Sequence, residues 1–107
     1  MKVEKVEVGL FAGRHELPVK KFIFEGDTSP VDFHHMDEVA LCWVMQHTRP
    51  GDVLHLYVTG LTAATVAVIK ACKLAGVGLV LMHFDRTTGK YAPQDVITPE
   101  GGACTCN

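Results

Sequence analysis

The beginning of the chain alternates between apolar and polar residues in two short segments. Residues 6–10 (VEVGL) place valine and leucine at every second position, which is typical of a half-buried strand. After a loop, residues 21–25 (KFIFE) hold aromatic and β-branched side chains between polar ones, which predicts a short second strand. The pattern therefore predicts two strands before any helix begins.

A helix is predicted over the segment that follows. In the stretch 29–32 (SPVD), Ser29 is expected to cap the helix, the proline suits the first helical position, and Asp32 suits the positive end of the dipole. Apolar residues then recur at helical spacing until about Thr48, and a Pro-Gly pair at 50–51 ends the pattern.

Two strongly apolar segments flank a second helix. Residues 53–58 (VLHLYV) and 79–84 (LVLMHF) are almost continuously apolar, which predicts strands covered on both faces, as in a parallel sheet. Between them, the alanine-rich residues 63–75 predict a helix with most of its circumference buried, ended by Gly76.

The end of the pattern completes an α/β domain. Residues 91–97 predict an edge strand, because Pro93 has no N–H to donate to a neighbour on both sides. The element order is ββαβαββ, and the helix between the two apolar strands requires that they be parallel. We predict one domain over residues 1–99 with a small, open, mostly parallel sheet in a Rossmann-like two-layer or three-layer sandwich, and a flexible tail at 100–107. A ferredoxin-like arrangement is the alternative.

Composition narrows the class of protein. The chain has 107 residues, 48% hydrophobic and 21% charged, which is typical of one packed soluble domain. The net charge of -2 argues against duplex nucleic acid as a ligand, although a small anionic ligand needs only a few local donors. No apolar run is long enough to span a bilayer, and the charged start of the chain is unlike a signal peptide, so we expect no membrane partner and a cytoplasmic location.

The cysteines give only a weak metal signal. Cys42 and Cys72 fall in apolar helical segments and are expected in the core. Cys104 and Cys106 form a lone C-x-C in the tail, expected to be exposed, with metal capture in trans as the alternative.

The histidines outside the strand ends are assigned structural roles. His34 and Glu38 would share one helix face without a third ligand, so a solvated surface is expected there rather than a metal site. His55 lies inside an apolar strand and is expected to be a hydrogen-bonded core residue. We expect no cofactor and no resident metal.

The turn after the first apolar strand is a candidate phosphate site. Ligands collect at the carboxyl ends of parallel strands, and Thr59, Gly60, Leu61 and Thr62 lie there, ahead of a helix. The glycine allows close approach of the backbone, the helix N-terminus offers unpaired N–H groups, and the threonines add hydroxyls. The alternative is a plain capping turn, with Thr62 as the cap.

The end of the second apolar strand adds a titratable group and a cation. His83 is a candidate general acid or base, Arg86 a candidate phosphate clamp, and Asp85 would position either one. If the first strand is parallel to the others, Arg14 reaches the same edge from the loop behind it. The alternative is that Asp85 opens a β-turn, Arg86 is solvated and His83 points into a polar corner.

Residues 51–97 resemble a known family. The Gly-Asp pair at 51–52 before an apolar strand, the turn 59–62 into an alanine-rich helix, and 83–86 (HFDR) at the end of the next strand are similar to small Rossmann-like proteins of type III CRISPR antiviral defence. That family includes sensor domains for cyclic oligoadenylate and ring nucleases that degrade it. The resemblance implies a homodimer whose two-fold axis passes a shared pocket for this cyclic RNA messenger.

Metal-independent ring opening fits these residues. The ribose 2′-OH attacks the adjacent phosphate once it is aligned and its charge is neutralised. His83 would act as the acid or base, Arg14 and Arg86 would stabilise the developing charge, and Thr59 and Thr62 would position the phosphate. Two alternatives remain: a non-catalytic sponge or regulator from a phage or mobile element, and a purely structural dimerisation protein.

Overall fold

The computed structural model describes residues 4–11, 18–25, 29 and 31–98. The elements in chain order are β1 (Lys5–Phe11), β2 (Phe22–Phe24), α1 (Phe33–His47), β3 (Val53–Tyr57), α2 (Thr62–Ala75), β4 (Gly78–Asp85) and β5 (Lys90–Ile97). This order confirms the predicted ββαβαββ arrangement. Arg14 and the predicted tail at 100–107 lie outside the described residues.

The five strands form one mixed sheet in the order β2-β1-β3-β4-β5. β1 is parallel to β2 and to β3, β3 is parallel to β4, and β5 pairs antiparallel with β4 at the edge. The sheet is therefore α/β and mostly parallel, as predicted. Its strand order differs from the 3-2-1-4-5-6 order of the Rossmann fold. The ferredoxin-like alternative fails, because its element order is βαββαβ.

Both helices cover one face of the sheet, which makes a two-layer sandwich in the described part of the chain. α1 and α2 pack against each other, and they enclose the core with the side chains of the strands. The connections β2–α1–β3 and β3–α2–β4 cross the sheet in the same direction, so crossovers of one hand place both helices on one side. The three-layer option is therefore wrong for these residues.

The prediction that residues 53–58 are covered on both faces is also wrong. Leu54 and Leu56 are fully buried under the helices, whereas Val53 and His55 on the opposite face are only half-buried. Tyr57 on that opposite face is buried, with 8% of its surface exposed. Neighbouring strands, rather than a second layer of helices, therefore shield it.

α1 is capped by Asp32 rather than by Ser29. An oxygen of the Asp32 carboxylate accepts a hydrogen bond of 3.2 Å from the backbone N–H of His35. The Ser29 hydroxyl instead accepts at 3.5 Å from the N–H of Val31, before the helix begins. Both residue types make good caps, and only the position of the first helical turn distinguishes them. Thr48 ends the helix, as predicted.

α2 begins at Thr62 and ends where predicted, with Gly76 in the left-handed region at φ 72° donating to the carbonyl of Cys72. Its outer surface is less buried than predicted, because Val66 and Leu74 are 47% and 76% exposed. Between them, Lys70 forms an ion pair of 2.6 Å with Asp37 of α1.

The β4–β5 hairpin extends beyond the rest of the sheet. β3 pairs with β4 only as far as Tyr57 opposite Met82, whereas β5 stays paired with β4 as far as Lys90 opposite Asp85. Within the described residues, the end of β4 therefore has a neighbour on one side only. Pro93 lies on the edge strand, as predicted.

None of the described helices is long and apolar enough to cross a membrane.

Candidate functional site

The carboxyl ends of β1 and β3 lie side by side where the order of the sheet reverses. From β1 the chain continues to β2 on one side, and from β3 it continues to β4 on the other. Such a switch point leaves a crevice beyond the strand ends, and ligands of open α/β sheets bind there. Residues 58–61 leave β3 at this point.

This turn brings the backbone of α2 close to the crevice. The N–H of Leu61 donates at 2.8 Å to the carbonyl of Thr59, and Gly60 between them adopts φ 67°, in the left-handed region that glycine tolerates. Leu61 is the N-cap of α2 and provides no side-chain hydrogen bond. Thr62 is the first helical residue, so the alternative in which it caps the helix is wrong.

A pocket of about 240 Å³ joins this turn to the end of β4. It is lined by Val58, Gly60, Thr62, Thr65 and His83. Three predicted site residues therefore meet in one cavity. The sequence analysis missed Val58 and Thr65. The helix period could have found Thr65, because it lies one turn after Thr62 in α2.

Thr59 lies beside this pocket with an unused hydroxyl. The residue is 5% exposed, and its Oγ1 is buried with no hydrogen-bond partner in the described part of the chain. A buried hydroxyl without a partner has a free-energy cost, but Thr59 itself is not among the described residues that line the pocket.

His83 is oriented by a residue from the neighbouring strand. Its Nε2 lies 2.8 Å from Oε1 of Gln94 in β5. Where Nε2 carries the ring proton, it donates to Oε1 of Gln94, and Nδ1 then holds the lone pair of the neutral ring. The sequence analysis missed Gln94, which is identified only by the register of the hairpin, where His83 lies opposite Ala92.

The other predicted residues do not line this pocket. Asp85 accepts at 2.9 Å from the N–H of Thr87, which is the β-turn role of the alternative, and Arg86 is exposed in the turn. Leu61 is half-buried and packs against the core. Arg14 lies outside the described residues, so its distance from His83 stays a prediction.

No group of three His, Cys, Asp or Glu residues that could hold a metal occurs in the described ranges. His34 and Glu38 form an exposed pair at 3.3 Å, consistent with the predicted solvated face. Cys104 and Cys106 lie outside those ranges.

The two described cysteines differ in environment. Cys72 is buried, as predicted, and burial raises the pKa of its thiol to about 12. Cys42 is exposed, so its predicted core position is wrong. The buried side of α1 is formed by Met36, Ala40 and Val44, and residue 42 projects from the opposite side of the helix.

His55 is half-buried on the uncovered face of the sheet rather than in the core. Its Nδ1 is buried without a hydrogen-bond partner in the described residues. Burial lowers the pKa of His55 below its ordinary value and Lys5 adds to this, whereas the Val53 backbone, Glu7 and Asp95 act in the opposite direction.

Comparison with known proteins adds no relative, since no family model, curated protein or solved structure matches the chain. The geometry itself combines backbone N–H groups of a helix start, hydroxyls and an oriented imidazole around one small cavity. This set of donors suits a phosphate group.

Proposed function

We propose that the protein binds an anionic nucleotide second messenger, a cyclic oligoadenylate, through the pocket between β3, α2 and β4. One observation carries this proposal: the start of α2 and His83 line the same cavity. The start of α2 has no side-chain cap. The positive end of the helix dipole and its free N–H groups favour a phosphate there. The proposal keeps the cytoplasmic location that goes with such a messenger.

The size of the pocket argues that a cyclic messenger is shared between two copies of the chain. At about 240 Å³ the cavity is smaller than a typical pocket for a whole ligand, about 300–1,000 Å³, and suits one phosphate with part of its ribose. A ring of linked adenylates repeats this unit. A homodimer with a two-fold axis would present two such pockets, which agrees with the arrangement that the resemblance of residues 51–97 implies.

The test is thermal unfolding with a panel of cyclic oligoadenylates and cyclic dinucleotides. A ligand at one hundred times its dissociation constant stabilises the fold by about 2.7 kcal/mol. Thr62→Glu should remove this effect, because its carboxylate repels an anion while remaining favourable for the helix dipole. Val66→Glu, with the same charge on the exposed side of α2, should retain it. Absence of a shift with every member of the panel would overturn the proposal and leave the structural dimer.

The orientation of His83 favours a second function, cleavage of the bound ring. In this proposal Nδ1 of His83 accepts the proton of a ribose 2′-OH, whose oxygen attacks the adjacent phosphorus. The bond from phosphorus to the 5′-oxygen breaks, and that oxygen takes up a proton from water while His83 releases its proton to solvent, which leaves a 2′,3′-cyclic phosphate and a 5′-OH. The helix N-terminus would stabilise the charge on the phosphorus oxygens. Arg14 keeps its predicted stabilising role as part of this proposal, whereas Arg86 lies past the pocket in the hairpin turn and is left out of it.

Chromatography of the ligand after binding separates the two functions. A linear product ending in a 2′,3′-cyclic phosphate would support a ring nuclease. Recovery of the intact ring after tight binding would support a sponge or regulator without catalysis.

A further inference from the structure

A second cavity lies at the amino ends of β1 and β2, whereas the nucleotide pocket lies at the carboxyl ends of β3 and β4. It measures about 590 Å³, within the range of small-molecule sites. The described residues that line it are Lys5, Val6, Glu7, Pro18, Val19, Lys20, Lys21, Trp43 and His47. We call it the lysine cavity.

The fold concentrates positive charge in this cavity. Its three lysines and single glutamate give a formal charge of +3 - 1 = +2, in a chain whose net charge is -2. Glu7 is partly neutralised already, because its Oε2 lies 3.5 Å from Nζ of Lys5. A local excess of this kind attracts an anion even where the whole molecule is acidic.

The backbone holds two of the lysines beside β1. The carbonyl of Lys21 accepts at 2.9 Å from the N–H of Gly9, which fixes the segment leading into β2 alongside the start of the sheet. The side chains of Lys20 and Lys21 are exposed and make no ion pair within the described residues. Their charges are therefore available to a ligand.

Two aromatic rings form another wall of the lysine cavity. Trp43 and His47 of α1 stack with ring centroids 4.1 Å apart and planes 13° from parallel. Nδ1 of His47 lies 2.9 Å from the carbonyl oxygen of Trp43, so Nδ1 carries the proton and donates. The other ring nitrogen, Nε2, remains available to a ligand.

In a neighbouring cavity, which Asp52 helps to line, the charged side chain is already used by the fold. Asp52 accepts from the N–H of Glu4 at 3.2 Å and from the N–H of Arg49 at 2.9 Å, so both of its oxygens already hold the structure together.

In the lysine cavity, Lys5 pairs with Glu7, and Glu7 also accepts at 3.5 Å from the hydroxyl of Tyr57. The charged groups without a structural role among the described residues are therefore those of Lys20 and Lys21.

We propose that the lysine cavity binds the phosphate of a phosphorylated small molecule, at a site separate from the nucleotide pocket. Lysine ammonium groups bind phosphate as point charges, and Lys20 and Lys21 line the lysine cavity without an ion-pair partner among the described residues. The stacked rings of Trp43 and His47 offer a flat surface to the organic part of the ligand.

The single tryptophan of the chain makes this proposal testable on its own. Trp43 lines the cavity, so its fluorescence reports on this site. We expect a saturable change of emission on titration with pyrophosphate or AMP. The double variant Lys20→Gln with Lys21→Gln should weaken binding at least tenfold. The matched control, Lys73→Gln with Lys90→Gln, removes two exposed lysines outside the cavity and should bind as the wild type does.

Further arms separate the ligand classes and the two sites. Tighter binding of AMP than of pyrophosphate would assign the site to a phosphorylated organic molecule, and the reverse to inorganic phosphates. Thr62→Glu, which should abolish binding at the nucleotide pocket, should leave the fluorescence titration unchanged, so that failure of the nucleotide pocket and failure of the lysine cavity are distinguishable. Absence of saturation with both anions, or equal weakening in both double variants, would overturn the proposal.

Discussion

At the scale of single residues, chemistry depends on contacts between strands that a linear sequence does not display. His83 was identified from the sequence because it ends an apolar strand, but its partner Gln94 depends on the register of a hairpin. Asp85 and Arg86 lie close to His83 in the sequence, yet the extension of the hairpin carries them past the pocket. Position along a strand predicts the end of the sheet at which a residue lies. The register between strands decides which side chains meet there.

We expect His83→Gln to reduce ring cleavage by a factor of about 10²–10⁴, the usual contribution of a general acid or base. Glutamine retains polar hydrogen-bonding groups, so ligand-induced stabilisation should change much less than the rate. Measurement of single-turnover cleavage beside thermal unfolding gives both quantities. Undiminished cleavage by this variant would exclude His83 as the base.

His55 should make stability depend on pH. Because burial lowers its pKa in the folded state, the unfolded chain binds the proton more readily, and the contribution of neutral His55 is lost as the pH falls below its unfolded value of about 6.5. Urea unfolding of the wild type and of His55→Gln at pH 5.5 and 7.5 tests this. The wild type should lose more stability on acidification than the variant, and equal losses would contradict the prediction.

At the scale of elements, the apolar pattern predicted each strand and helix of the described residues: spacing identified β1 and the helices, whereas continuous apolar runs identified β3 and β4. Helix ends were less predictable: Ser29 and Asp32 are both suitable caps, and the choice depends on where packing places the first turn of α1. The prediction that both faces of β3 are covered was wrong. A run of apolar residues does not show whether helices or neighbouring strands bury its side chains.

The two candidate caps can be compared directly. Asp32→Ala should destabilise the protein by about 1 kcal/mol, since it leaves the N–H of His35 without its acceptor. Ser29→Ala should change the free energy of unfolding by only a few tenths, about the effect of an ordinary surface substitution. Denaturant unfolding of both variants measures the difference. A larger loss for Ser29→Ala would reassign the cap.

At the scale of the whole molecule, one face of the sheet lacks a covering layer in the described part of the chain. Mostly parallel sheets are usually covered on both faces, and Phe84 on this sheet is 54% exposed. We expect a homodimer, observed as twice the chain mass in light scattering at micromolar concentration. A monomer at all concentrations, with and without cyclic oligoadenylate, would contradict both the dimer and the shared pocket.

The overhang of β4 has a consequence for how the molecule opens. Beyond Met82 the strand is paired with β5 alone, so its amides are held by one ladder rather than by the interior of a sheet. In hydrogen exchange these amides should lose protection through local opening, well before the central strands do. His83 thus lies in a part of the sheet that is paired on one side only, and a bound ligand should slow exchange there.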